Sequence, residues 1–435
     1  MRVAIVGGGI IGLMSAWFAR ERGFDVVVID RNGPERDGCS FGNAGMIVPS
    51  HFIPLAAPGM VELGLKWMAN PESPFYIRPR LSWDLLSWGA RFWQAATAGH
   101  VARSGPVLRD LHLRSRALYD GLARDWGNEF GLAREGLLML CKTPAALEEE
   151  AHVAESARRL GIPAEVLNPA AVARLDPGIT MDVVGGVYFP NDCHLSPNRL
   201  MAGLQARLAT RGVEFQFHRE ITGFQCDTIR LKSVTTRPVV PASPGRTTAT
   251  SAAADGVTTS TEADQFVLCG GAWSSEMARR LRLSIPMQAG KGYSLTLAHP
   301  RQLPRLCSIL TEARVAVTPM GESLRIGGTM ELSGIDLRID PRRVRGIVRS
   351  IPAYFPEFHE HDFDGITPWS GLRPCSPDGL PYIGRAKRWQ NLIVATGHAM
   401  MGLSLGPVTG ELVADLIAGR APSLTIDALS PDRFG

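Results

Sequence analysis

Six residues near the amino terminus carry the clearest chemistry. Gly7-Gly8-Gly9-Ile10-Ile11-Gly12 has the G-x-G-x-x-G spacing that lets a backbone turn cradle a pyrophosphate. Gly7 permits the tight turn, Gly9 lets phosphate approach the main chain, and Gly12 lets helix and strand pack closely. Asp30, with Arg31 after it, stands where a carboxylate accepts the hydroxyls of an adenosine ribose. These residues need a frame. Residues 3–6 read as a short apolar strand, 13–22 as a helix closed by Gly23, and 26–29 as a second strand ending at Asp30. The helix amino terminus, at Ile10 and Ile11, offers unpaired amides to phosphate charge. The fingerprint specifies a dinucleotide fold without choosing FAD over a nicotinamide.

Two further segments belong with it. Residues 38–47 are glycine-rich and weakly charged, and Ser40, Asn43, Ala44, Gly45 and Met46 bring small side chains and amides toward a second large planar ligand. Near the other end, 392–395 read as a strand, 396–398 as a turn and 410–419 as an amphipathic helix stopped by Gly419. A final strand, turn and helix returning to the opening motif implies a discontinuous domain.

Composition excludes several classes. The chain has 435 residues, 45% hydrophobic and only 20% charged, so it is globular with a large core and room for two domains. The net charge is +4, and the densest basic run, 338–345, is short and contains Asp340, so nucleic-acid binding is excluded. Seven scattered cysteines with no C-x-x-C pair argue against a disulfide scaffold or a zinc site, and no metal is expected. Residues 3–19 and 389–410 are uncharged. Glycines and the flanking charges make each fit a strand, turn and helix in water better than a signal peptide or a membrane span.

The markers 3–31, CSFGNAGMIVPSH at 39–51, KGYSLTL at 291–297, WSGLRPCSPDGLPYIGR at 369–385 and 391–420 occur in order along nearly the whole chain. This set resembles the D-amino acid oxidase superfamily of FAD-dependent oxidoreductases, and more closely its bacterial D-amino acid dehydrogenase small-subunit branch. D-Hydroxyproline and D-proline dehydrogenases lie near that branch; glycine and sarcosine oxidases are more distant. The resemblance implies an α/β fold: a Rossmann-like FAD-binding domain interleaved with an α+β substrate domain containing a large mixed or antiparallel sheet. Residues 1–45, about 195–282 and about 369–435 would form the FAD domain. About 46–194 and 283–368 would form the substrate or cap domain, and 235–263, rich in Thr, Ser and Ala, would be a flexible surface insert.

The same resemblance implies noncovalent FAD and extends its binding set to Gly270, Gly271, Trp273, Gly371, Gly397, His398, Met401, Gly402, Leu403 and Ser404. Arg373, in GLRP, corresponds to the arginine that pins the substrate carboxylate in relatives, which a planar fork does well. Tyr293, in KGYS, would donate to the same carboxylate, and His51 would line the pocket and orient the amine. A second carboxylate arginine found in remote relatives is missing around 399–401; Arg314 and Arg325 are the alternatives. The expected substrate is a small D-amino or D-imino acid, with D-proline and 4-hydroxy-D-proline weighted by the departures at 398–406. The acceptor would be a quinone or another carrier. The expected location is cytoplasmic, with peripheral association at the inner membrane left open. Two other readings fit the same residues: a glycine- or sarcosine-type oxidase releasing hydrogen peroxide, and an FAD-binding protein without catalysis.

Overall fold

A computed structural model describes residues 1–35, 38–68, 70, 72–239 and 257–435. Arg2–Val6 and Asp25–Ile29 pair in parallel and bury every residue except the first of each, as strands covered on both faces must. They sit inside a six-stranded sheet ordered Tyr382–Arg385, Leu392–Thr396, Gln265–Leu268, Arg2–Val6, Asp25–Ile29 and Glu214–Gln216. All neighbours are parallel except the Tyr382–Arg385 edge. Strands from both ends of the chain thus share one sheet.

Two glycines explain how the ends lock together. The helix Ile10–Glu21 lies against the helix Gly406–Ile417, whose Gly410 packs directly on the Met14 carbonyl group. A Cβ there would stand 2.5 Å from that carbonyl carbon, and one on Gly406 2.9 Å from Ile10. Without side chains at these positions the two backbones approach closely over a buried seam that includes Leu13, Met14, Val413 and Ala414.

The second architecture is a nine-stranded mixed sheet. Its main path runs Trp369–Cys375, Gln288–Leu297, Ser323–Leu332, Val315–Met320, Cys307–Leu310, Leu137–Cys141, Gly185–Phe189 and Glu165–Leu167, with Phe75–Ile77 pairing Ser323–Leu332 off that path. One face is closed by the helix Pro341–Tyr354, whose Ile347 and Ile351 pack in one core cluster with Leu295 and Ile326 of the sheet. The α/β class with a Rossmann-like part and a mixed sheet is therefore as expected. One assignment changes. Trp369–Cys375, grouped by sequence with the dinucleotide fold, is the edge strand of the nine-stranded sheet, and the six-stranded sheet resumes at Tyr382–Arg385.

The expected insert over 235–263 is also corrected at its ends. Leu231–Pro238 and Thr259–Glu262 pair in a three-stranded antiparallel sheet with Arg219–Cys226, because Leu231, Ser233, Val234 and Thr261 have a buried face to fill. The rest of that insert falls on 240–256, outside the described residues. Among the described residues no helix is long and apolar enough to cross a membrane.

Candidate active site

The carboxyl ends of the parallel strands open into one cavity, where open α/β sheets bind ligands. It is lined by the Gly7–Gly9 turn, Asp30, Arg31, Ser40, Asn43, Gly270, Gly271 and Trp273, and reaches His398, Gly402 and Leu403. Ile10 and Ile11 also line it. Sequence reasoning missed Asn32, Phe41, Arg219, Glu220 and Thr396 on the same walls. Phe41 lay inside a segment already singled out. Arg219 and Glu220 carry no motif; only their place after the strand Glu214–Gln216 brings them to this rim.

Each glycine of the fingerprint has a distinct job. Gly7 has φ +106°, and a Cβ on it would meet the Cys269 carbonyl group of the neighbouring strand, 2.7 Å from its carbon. Gly12 presses on the Gly7 carbonyl group. Gly9 differs. Its φ is an ordinary −69°, and a Cβ would find only the Ser40 Oγ, at 3.5 Å. No protein neighbour demands glycine there, so the space suits a ligand approaching the main chain. Asp30 braces the turn: its carboxylate accepts from the Gly8 amide at 2.5 Å and the Asn32 amide at 2.7 Å. Ser40 Oγ accepts from the Ile10 amide at 3.0 Å, tying the 38–45 segment to the helix start.

His398 marks the far end. Thr409 Oγ1 donates to the Leu405 carbonyl at 2.8 Å, so it accepts from His398 Nε2 at 3.0 Å. The proton therefore sits on Nε2. Nδ1 is a buried acceptor with no partner among the described residues, and burial lowers the imidazole pKa to about 3. An orphaned acceptor in a cavity that begins at a phosphate cradle fits a cofactor carrying donor groups, as FAD does.

Arg373 lies next to this cavity, on the strand whose Leu372 and Pro374 line it. Its guanidinium rests over Gly292 of the paired strand and donates from Nη1 to the Thr329 carbonyl at 2.5 Å. Thr329 has φ +67° at a shift in register between its strand and Gln288–Leu297, a costly conformation for a branched residue. Arg373 forms no ion pair among the described residues. It is a half-buried cation beside a cavity with donors to spare.

Other expected residues are placed differently. Tyr293 faces the opposite side of the sheet and is 1% exposed; its hydroxyl donates to Glu331 Oε2 at 2.7 Å. Glu331 in turn pairs with buried Lys291 at 3.3 Å, and burial plus the Glu331 charge drives the phenol pKa up. The substrate-contact expectation for Tyr293 is therefore corrected. The glycine before it serves the site, by making room for Arg373. Arg325 is 6% exposed and clamps the 41–43 loop, donating to the Phe41 and Asn43 carbonyls at 3.0 Å each. Arg314 is exposed on a turn.

Ala44, Gly45, Met46, Gly371, Gly397 and Met401 stand behind the cavity wall. Gly45, at φ +78°, crosses the Leu195 backbone and accepts from its amide at 2.8 Å, and Met46 pairs with His194. Gly371 makes room for the Trp369 ring and Gly397, at φ +80°, for that of Tyr382. Ser404 Oγ accepts from the Val48 amide at 3.0 Å and bonds His112 Nδ1 at 2.9 Å. His51 ends the turn that follows Val48, its amide donating to the Val48 carbonyl at 3.0 Å. Its pKa falls to about 4 through burial and the Arg314 charge. Among the described residues no cluster of His, Cys, Asp and Glu could hold a metal.

A model of the family described as FAD dependent oxidoreductase (DAO) matches residues 2–416. The chain is 32% identical over 445 residues to a D-amino acid dehydrogenase of Granulibacter bethesdensis, covering 100% of both, and 30% identical over 443 residues to one of Bradyrhizobium diazoefficiens, covering 100% of this chain and 99% of that one. Among solved structures, the glycine oxidase from Geobacillus kaustophilus superposes with a TM-score of 0.75 at 23% identity, over 100% of this chain and 99% of that one. That likeness speaks to the fold.

Proposed function

The chain belongs to the family of FAD-dependent oxidoreductases, oxidising an amino-acid-type substrate with noncovalent FAD, and on that premise we propose that it is a D-amino acid dehydrogenase. Its substrate in this reading is a small D-amino or D-imino acid, with D-proline and 4-hydroxy-D-proline preferred. A cyclic substrate leaves as a pyrroline carboxylate, and the electrons pass to a quinone or another carrier. Relatives of that name matching end to end at 30–32% identity support it. The observation that carries it is Arg373: a cation without an ion-pair partner among the described residues, held in place by a glycine, beside the dinucleotide cavity.

Bound FAD supplies a two-electron acceptor for the hydride leaving the substrate Cα. The chain's own work is positioning. The Gly7–Gly9 turn, the helix start and Asp30 would hold the dinucleotide end of FAD, and His398 would stand at the other end of the cavity. Arg373 binds the carboxylate through donors that Thr329 leaves free, fixing orientation as well as location. His51, neutral at pH 7, faces the amine in this reading. For the acceptor, the helix Trp83–Ala95 is informative: Trp83 and Trp93 are 85% and 67% exposed, with Leu81 and Leu86 beside them. Exposed tryptophans next to aliphatic side chains suit the membrane interface, where quinones reside.

Anaerobic mixing of the holoenzyme with each enantiomer of proline and alanine tests the substrate class. The D-forms should bleach the flavin absorbance. Bleaching by the L-forms with none by the D-forms would overturn the proposal.

A further inference from the structure

Behind the cavity lies a buried polar chain that no role described so far uses. Asp192 is fully buried, and both of its oxygens are held by one residue: Oδ1 by the Ser50 amide at 3.1 Å and Oδ2 by Ser50 Oγ at 2.5 Å. The same Oγ lies 3.0 Å from His51 Nδ1. Among the described residues that is the ring's one hydrogen bond, and His51 is only partly buried, which leaves Nε2 for a ligand. The chain is anchored to the cavity wall. The Val48–His51 turn hangs from Ser404 through the Val48 amide, and Ser404 follows Gly402 and Leu403, which line the cavity.

The geometry settles where the protons sit. A serine hydroxyl has one proton, and an ionised Asp192 takes it through the short contact at Oδ2. Ser50 Oγ is then left as an acceptor, so His51 must donate from Nδ1 and Nε2 must carry the lone pair. We infer that Asp192 and Ser50 are positioning residues that fix the tautomer of His51, leaving Nε2 as the hydrogen-bond acceptor for the substrate amine. This rests on the reading that His51 faces that amine. The amine is thereby oriented with its lone pair aligned with the breaking Cα–H bond, so that the C=N bond forms as hydride departs. A protonated Asp192 reverses the chain. It then donates to Ser50, Ser50 donates to Nδ1, and Nε2 carries hydrogen and repels an amine N–H.

Burial raises the Asp192 pKa to about 7, so both states lie near neutrality. The charged and titratable groups around the chain are few. Arg116 from the helix Ala98–Asp125 faces Asp192 and favours its ionised form, and Cys193 and Cys307 are thiols kept neutral by burial. Arg314 and His112 face His51; burial, aided by the Arg314 charge, holds it neutral, and His112 is itself neutral with its pKa lowered to about 3.

The test compares pH profiles of kcat/KM in FAD-saturated wild type, Asp192→Asn, Ser50→Ala, Ser50→Thr and His51→Ala, with nitrogen-15 imidazole shifts of the holoenzyme as a direct reading of the tautomer. Activity of the wild type should rise through about pH 7. The carboxamide introduced by D192N can donate to Ser50, so this variant should lose about tenfold and lack that limb, and its His51 signal should move to the Nε2–H tautomer. S50A should behave likewise, and S50T should restore both the limb and the tautomer. Wild-type profiles and shifts in D192N and S50A, with H51A impaired, would overturn this inference alone. An H51A enzyme of undiminished kcat/KM would overturn the reading beneath it as well. If D192N does not fold, the serine pair and the wild-type shifts decide by themselves.

Discussion

Replacing Gly292 by alanine should disable the carboxylate clamp without unfolding the protein. A Cβ at this position would stand 2.5 Å from Arg373 Nη1 and closer still to Cζ and Nη2. Ordinary contact between such atoms begins at about 3.5 Å, so the guanidinium must move by about 1 Å. The displaced group is the far end of a flexible side chain, and Gly292 is not among the positive-φ glycines, so the folding cost stays within about 1–3 kcal/mol. The loss at the site is of similar size but falls on the reaction. A charge-assisted hydrogen bond is worth about 1.5–3 kcal/mol, which converts to roughly 10- to 150-fold in kcat/KM. A misplacement of about 1 Å at a reacting centre costs about the same, 10²-fold. Steady-state kinetics of G292A, R373A and the double variant, with FAD content measured alongside, check this. The two substitutions act through one guanidinium, so the double variant should be no worse than R373A. Wild-type kcat/KM in G292A, or additive losses in the double variant with FAD retained, would refute the clamp as described.

Three other outcomes follow from the same structure. Tyr293→Phe should leave kcat/KM within about threefold of wild type while lowering unfolding free energy by about 1–3 kcal/mol, since Glu331 loses a buried partner; a large kinetic loss at unchanged stability would return Tyr293 to the substrate. His51, His112, His194 and His398 all have pKa values lowered to about 3–4 by burial. The unfolded chain binds their protons first, so stability is full above about pH 6.5 and is lost as pH falls toward 4. Asp192, raised to about 7, pulls the other way, but it is one group against four. Urea midpoints measured across that window should fall with pH, and a flat profile would contradict neutral burial. Finally, sedimentation with anionic phospholipid vesicles should retain the protein, and a Trp83→Ser, Trp93→Ser variant should lose most of that binding; equal sedimentation of both would remove this helix from the interface.

The dinucleotide half was legible because its residues are bound by local rules. Gly12 is demanded by a backbone crossing within one turn, Gly7 by its positive φ, and the apolar runs at 3–6 and 26–29 suit only a strand covered on both faces. The substrate half was less legible because its contacts are made across strands whose register no single sequence displays. The family marker at 291–297 drew attention to its tyrosine, yet the pairing of Gly292 with Gly371 and Gly290 with Arg373 makes the glycine the residue that matters to the clamp. The sheet that Trp369–Cys375 joins is hidden for the same reason: its pairing partner, Gln288–Leu297, lies far earlier in the chain. The Asp192 chain was invisible altogether. Ser50 falls inside the 39–51 marker, but Asp192, 142 residues away, carries no motif.

The most direct test of the account is aerobic turnover of the purified FAD-loaded enzyme, with dye reduction and peroxide release followed together. The substrates are D-proline, 4-hydroxy-D-proline, D-alanine and glycine. The account predicts dye-dependent oxidation of the D-substrates, with D-proline or its hydroxylated form ahead of D-alanine, and no stoichiometric peroxide. Rapid peroxide release with glycine, and no dye reduction by any D-amino acid, would contradict it.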